Sequence, residues 1–590
     1  MATGLRVAAR LALILPVLTS MVLCSCSEEF LTREPKGTGA GSVMLTPDGI
    51  ESILTGAYGA MRGTYRFGGS MGTDWVYGSV VSDDCYKGTS AGDSSPMSLL
   101  EGYYNWPNIS YFTERWTDCY NGVARANNVL EFLAAAQEGN TTFPAGRALQ
   151  VEAEAKFLRA WFHFQANKVF ENIPYIKTPA ELAPLLPEEV PNNDPAWDEI
   201  EEDLQFAIEN LPASFSGEPG RADKFAAEAV KAHAHMYQKE FDQARILLDD
   251  IINNGGFTLA SNFYDNYDMT HENNSESIFE IQAFTTPTTA TSLLLSGAVF
   301  HQKGPAKCGG WGFFQPSQCL FEAFQVTTDG LPVPEIDDRE PLAHDMGISS
   351  NTAFTPTSHL MDPRVDWTIA RRGVDFLGWG IHPGQAWIRE QDNGGPYMTK
   401  KYMHLKSEQG LNLYMDGFSN GKNYRMYRLT NILLWRAETA VEENDLELAR
   451  SLVNSVRERA RNSTPVMGLC LSDSDLGSNP EVDWTRPAAN YKIEPYPAGH
   501  PAFASQTEAR KAVRMEIRLE FATEGHRFFD LRRWEIDDEV LNDYISRDQK
   551  FRTTLRNAVY DPVEDDYWPL PQSQVEMQKG VLKQDPAYVK

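Results

Sequence analysis

The sequence predicts a mainly α protein with few short strands, and three observations carry that prediction. First, the strongly patterned segments place apolar residues at helical spacing. Leu149, Ala153, Phe157, Trp161 and Phe164 fall near one face of a helix over about 148–170, and Val513, Ile517 and Phe521 do the same further on. Second, two helix hairpins repeat each other. Ala232 precedes Ala244 by 12 residues and Ala437 precedes Ala449 by 12, with Phe241 and Leu446 each three before the second alanine. Apolar residues then follow at +4 and +7, namely Leu248 and Ile251, Val453 and Val456. Small residues so placed on paired helices let two backbones approach closely, the packing logic of tetratricopeptide repeats. Third, long stretches rich in Gly, Pro, Asn and aromatic residues separate the helices, at 62–110, 283–320, 345–425 and 465–505. Loops of that length are commonly functional when ordered.

The N-terminus has its own logic. Arg6 and Arg10 precede an apolar run, Leu11 to Leu23, with no acidic residue before Glu28. The run is shorter than the ~20 residues of a bilayer span and suits a secretory signal. It ends at Leu23-Cys24-Ser25-Cys26. A lipoprotein peptidase needs a small residue before the cysteine it exposes and prefers an aliphatic one three before. Cys26 has Ser25 and Leu23 there, whereas Cys24 has Leu23 and Met21. We therefore expect a signal peptide over 1–25, a lipid on Cys26 and a tether over 26–45. A signal peptide cut without lipidation is the plain alternative. Ser27-Glu28-Glu29 follows, and acidic residues at that place resemble the surface-export signal of Bacteroidetes lipoproteins.

Composition excludes several functions. The net charge of −28 argues against nucleic acid or anionic lipid as a ligand, since both need a basic surface. After residue 25 no apolar run approaches 18 residues, so membrane contact is expected through the lipid only. The cysteines show neither CxxC nor zinc spacing, and Cys85, Cys119, Cys308, Cys319 and Cys470 leave an odd number in the body.

Order along the chain then carries a family resemblance. CSEEFLTREP (26–35) is followed by WTDCYNGVARANNVLEFL, with Trp116, Tyr120, Arg125 and Ala126, then by EAEAKFLRAWFHFQANKVFENIP (152–174). KFAAEAVKAHAHMY (224–237), ESIFEIQ (276–282), DPR (362–364), KY (401–402) and YRLTNILLWRAETAVEENDLELARSLVNSVRERA (427–460) come next. RMEIRLEFATEGHRFFDLRRW (514–534) and YWPLPQSQVEMQKGVLKQDPAY (567–588) complete the series. Together these resemble the SusD/RagB family of Bacteroidetes outer-membrane nutrient-uptake lipoproteins, nearly end to end. The resemblance implies a single body of four tetratricopeptide-like helix pairs scaffolding a loop-rich ligand face. The pairs are expected at 47–62 with 112–136, 148–170 with 195–211, 224–238 with 241–253, and 427–443 with 446–461. An N-terminal part over 46–275 and a C-terminal part over 276–590 would form one compact unit. Arg527, Asp530 and Arg533 could be read as an anion site, but at helical spacing beside aromatic anchors they read as packing.

Enzyme constellations are weak here. Gly68-Gly69-Ser70-Met71-Gly72 satisfies a GxSxG pattern, yet the flanks offer neither the strand nor the helix of a nucleophile elbow. His233 and His235, two apart on a helix, point to different sides and do not chelate one metal. No HExxH or Walker sequence is present. No catalytic residue, metal or cofactor is therefore expected. Aromatics give the better signal. Tyr104, Asn105 and Trp106 crowd the loop before the Trp116 helix, Trp75 and Asp83 lie in the loop before that, and Trp311 follows ESIFEIQ. Sugar C–H faces stack on flat rings while hydroxyls need polar neighbours, so these six residues are the candidate ligand-binding set. A Trp in a long loop more often forms a small satellite core under that loop. Trp379 and Trp387 are further candidates. The expected function is a non-catalytic, surface-exposed outer-membrane protein that captures oligosaccharide. The resemblance implies delivery to a SusC-like TonB-dependent transporter. The alternatives are a peptide-capturing member of the same family and a secreted helical glycosidase.

Overall fold

Thr46 opens the first long helix, α1 (Pro47–Ala60), by accepting the Gly49 amide on its hydroxyl, and Pro47 supplies a helix-ready φ at the first position. Its buried Ile50, Leu54 and Ala57 face α2 (Ser110–Glu138). The computed structural model describes residues 41–63, 73–283, 285–286, 289–290, 311–408, 421–472 and 480–589. The expected signal peptide, the anchor Cys26, most of the tether and the GxSxG match at 68–72 lie outside the described residues.

Helix packs on helix through the N-terminal half. α2 lies against α3 (Arg147–Phe170), α3 against α4 (Trp197–Asn210), and α4 against α5 (Lys224–Gln238), which in turn packs on α6 (Phe241–Asn254). After a long excursion, α7 (Leu429–Glu442) packs on α6 and on α8 (Leu446–Asn462). α9 (Gln506–Phe521) closes over α7 and α8, followed by α10 (Arg527–Arg533) and α11 (Asp537–Asp548). The repeated alanines Ala232, Ala244, Ala437 and Ala449 are all completely buried, as are Leu248, Ile251, Val453 and Val456. One expected face needs correction. Leu149 is exposed at the first turn of α3, whereas from Phe157 to Phe170 burial runs all round the helix, because α3 is enclosed by its neighbours. A stripe model does not suit a central helix.

The loop-rich half is tied down by short antiparallel strand pairs. β1 (Cys85–Gly88) pairs with β3 (Phe313–Pro316), and β2 (Ser277–Ile281) with β4 (Tyr424–Arg428). β5 (Met467–Cys470) and β6 (Val482–Pro487) form a bulged hairpin. Trp75–Val80 winds as a wide turn with Gly78 pressed on Gly525, where a Cβ would fall 1.7 Å from the Gly525 carbonyl oxygen. One apolar core runs from Ile50 to Leu582.

At its centre lies a buried ion network that uses the signature residues. Arg364 is held by Asp362, Glu516 and Glu520, and Lys401 by Glu524 at 2.7 Å. Arg428 reaches Glu524 and Glu520, while Arg457 pairs with Glu516 at 2.9 Å and Arg459 with Glu276 at 3.0 Å. Likewise Arg533 joins Asp530 and Glu438 within 2.8 Å, which makes that motif a packing device.

Candidate ligand-binding face

The short helix Ser95–Glu101 ends in a tight loop that presents the exposed aromatics. Gly102 donates its amide to the Ser98 carbonyl, and Tyr103 takes a positive φ of 59°. Tyr103 is thereby turned inward, its hydroxyl donating to the Val81 carbonyl at 3.0 Å and its ring lying edge-on to Tyr560 at 5.1 Å. Tyr104 is turned outward, its amide bound to the Leu99 carbonyl. Trp106 follows with 57% of its surface exposed, its ring centroid 6.5 Å from that of Tyr104 and tilted 50° to it. Two neighbouring rings in water on a hydrogen-bonded loop form a shelf that needs no reorganisation to receive a flat ligand face.

Asn105 sits beneath that shelf. It is buried, and its amide donates to Asp565 at 2.8 Å, so it acts as the peg that fixes the loop. Burial pushes the Asp565 carboxyl up to about 7, although the Asp561 amide and Asn105 hydrogen-bond it. The Tyr104 hydroxyl reaches the Asn557 carbonyl at 3.3 Å, and the Gln572 amide closes on the Pro107 carbonyl.

Trp311 is half-buried. Its carbonyl accepts from Arg389 at 3.3 Å, and the same guanidinium holds Thr89 and Asp93 just ahead of Ser95–Glu101. The Thr89 amide also binds the Gly312 carbonyl. Arg389 therefore ties the Trp311 backbone to the segment that leads into the helix Ser95–Glu101, and Trp106 follows that helix in the chain.

Three candidates require correction: Asn105, which is buried and committed to Asp565, and Trp75 and Asp83. Trp75 is 1% exposed and wedged against Phe313 and Phe314, with centroids 6.4 and 5.2 Å away. Its indole has no face to offer a sugar. Asp83 is equally buried and pairs with Arg518 at 2.7 Å and Arg527 at 2.8 Å. Burial alone would raise its carboxyl, but the two guanidiniums outweigh that and hold it well below the usual range. Asp83 braces the wide turn against α9 and α10. The neighbouring-loop candidates are also partly spoken for: Trp379 donates its indole N–H to the His404 carbonyl, and Trp387 lies edge-on to Phe376 and His382.

The histidines divide as their spacing predicts. His233 stacks on Trp435 at 4.4 Å, whereas His235 turns to Glu240 at 2.6 Å and Glu201 at 3.6 Å. Among the described residues a second such grouping joins Asp265, Asp268 and His271. In both groupings the imidazole nitrogen is already engaged by a carboxylate. Sequence reasoning missed Arg389 and Asp565, which fix the two aromatic segments from 78 and 460 residues away, where spacing gives no signal.

Comparison with known proteins agrees with this architecture. A model described as the SusD family matches residues 263–588, and one described as starch-binding associating with outer membrane matches residues 50–236. A SusD-like protein of Formosa agariphila is 23% identical over 551 residues, covering 90% of this chain and 92% of its own length. The surface glycan-binding protein A of Bacteroides thetaiotaomicron, solved in complex with laminarihexaose, superposes with a TM-score of 0.64 at 19% identity, over 92% of this chain and 99% of that one. Its namesake from Bacteroides fluxus gives 0.65 at 23% identity, over 92% and 100%. The chain therefore belongs to the SusD family.

Proposed function

We propose that this protein is a non-catalytic, cell-surface glycan-binding lipoprotein, anchored in the outer membrane through Cys26. It captures oligosaccharide on the Tyr104, Trp106 and Trp311 face and hands it to a SusC-like TonB-dependent transporter. The observation that carries the reading is the exposed Tyr104–Trp106 shelf, held on a rigid loop by Asn105 and Asp565. Two tilted rings in water cost apolar exposure that a sugar C–H face would remove. Two relatives with the same fold are named as surface glycan-binding proteins, one of them holding laminarihexaose. Tethering at a membrane would raise the local ligand concentration at the partner pore.

The test is calorimetric titration of the purified protein with laminarihexaose and other soluble oligosaccharides. Trp106→Ala and Trp311→Ala should each weaken binding by roughly tenfold to a hundredfold, from the ~1–3 kcal/mol of a buried aromatic contact. The melting temperature of Trp106→Ala should stay at the wild-type value, since the indole stands in water. Undiminished glycan affinity in both variants would remove this face from the function, and tighter capture of peptides than of any sugar would overturn the ligand class.

A further inference from the structure

A second aromatic cleft lies apart from the shelf, in the loop-rich half. It is open to solvent and has a volume of about 610 Å³, within the ~300–1,000 Å³ of small-ligand sites. Trp367, Leu377, Pro465 and Met467 form its apolar floor, and Trp484 stands as one wall. Asp375, Lys406, Ser407 and Thr464 line it with polar groups.

Both indoles are positioned by the fold. Trp367 stacks on Tyr264 at 4.7 Å and donates its N–H to the Thr464 carbonyl at 2.9 Å, which makes it a fixed surface. Trp484 lies on β6 across from Gly468 on β5, inside the bulge between Asp483 and Pro487. A Cβ on Gly468 would meet the indole Cζ3 at 2.8 Å and Cε3 at 2.9 Å, and its φ of +105° already disfavours any side chain. The hairpin thus gives up a side chain to seat this ring, yet 56% of the indole remains in water. Trp484 and Trp367 thus share one cleft lining, with Trp484 left exposed to solvent.

One polar group, the Asp375 carboxylate, is also held in place. The buried Lys400 ammonium donates to the carbonyls of Asp366 and Asp375, at 2.5 and 2.7 Å, setting the backbone from which the Asp375 carboxylate accepts the Gly378 amide. Lys406 is tied through its amide to the Leu377 carbonyl and its side chain is exposed.

We propose that this cleft is a second binding platform for an uncharged oligosaccharide. The inference rests on the glycan-binding reading of the chain and adds a site to it. A flat apolar wall with a carboxylate, an ammonium and hydroxyls beside it matches a pyranose, which offers C–H groups on its face and hydroxyls on its rim. An apolar ligand would need an enclosed pocket without that polar lining. An anionic polymer is opposed by the net charge of −28.

Native affinity electrophoresis in gels containing laminarin, amylopectin, arabinoxylan or galactan tests the proposal. Trp484→Ala should weaken retention on the retarding polysaccharide by roughly tenfold. Trp484→Phe, which keeps a flat ring, should retain most of it. Both should melt at the wild-type temperature. Retention lost by Trp106→Ala but unchanged by Trp484→Ala would overturn the cleft and leave the shelf standing. If the wild-type protein is retarded in none of the gels, the glycan reading falls and the cleft with it.

Discussion

Two buried clusters of acids meet the same desolvation cost and resolve it in opposite ways. In the central network, Glu520 is fully buried and burial would raise its carboxyl, but Arg459, Arg428 and Arg364 hold it down at about 2. Under the Tyr104–Trp106 shelf, Asp565 and Asp566 have too little compensating positive charge, and burial leaves both carboxyls at about 7. Cations, not depth, decide the outcome. Glu520 at the centre stays ionised across the neutral range, whereas the corner beneath the ligand face changes charge near neutral pH.

The sharpest way to break this contrast is to remove a charge from the centre. Glu520→Ala would strand Arg364, Arg428 and Arg459 without that partner. A loss of ~3–5 kcal/mol in urea unfolding is expected. A loss under ~1 kcal/mol would show the network to be replaceable. A smaller effect is expected where packing, not charge, is disturbed. Ala449→Leu places a branched side chain at a completely buried helix contact, and should cost ~1–3 kcal/mol by the same measurement.

A third effect sharpens the contrast by its sign. Asp565 binds its proton more tightly in the folded protein, about 7 against ~3.9 unfolded, so its contribution is full below pH ~4 and fades as pH rises through 7. Glu520 is depressed instead, so its contribution is full above ~4.3 and is lost as pH falls through about 2. Asp565→Asn mimics the protonated corner. Its melting temperature should gain on the wild type between pH 5 and pH 8. A constant difference across that range would mean that Asp565 does not titrate there.

What could be read from the sequence was local. The helices follow from 3.6-residue periodicity and caps within a few residues, so α5 falls at Lys224–Gln238, the expected span, and α1 begins where Thr46-Pro47 signals it. The alanines mark real close contacts for the same reason. Strand pairings such as β1 with β3 bring together residues more than 220 apart, and no local pattern encodes that choice. The candidate face suffered from the same limit. Trp106 and Trp75 look alike in sequence, each an aromatic in a polar loop. Only the arrival of Phe313 and Phe314 buries Trp75, and only the outward turn after Tyr103 exposes Trp106. Asp83 likewise reads as a loop acid until Arg518 and Arg527 are seen to reach it from the far end of the chain.

The last stretch of the chain has a consequence for the order of assembly. The Trp568 ring lies edge-on to Tyr77 at 5.0 Å and its amide binds the Val169 carbonyl, while the Lys583 amide binds Asn192 at 2.9 Å. Such pairings are costly to nucleate, because the loops they close are hundreds of residues long. A polypeptide made from its N-terminus carries Tyr77, Val169 and Asn192 without these partners until residues 568–583 have emerged. Pro107 waits in the same way for Gln572, so the turn bearing Trp106 gains that backbone bond only after more than 460 further residues are made.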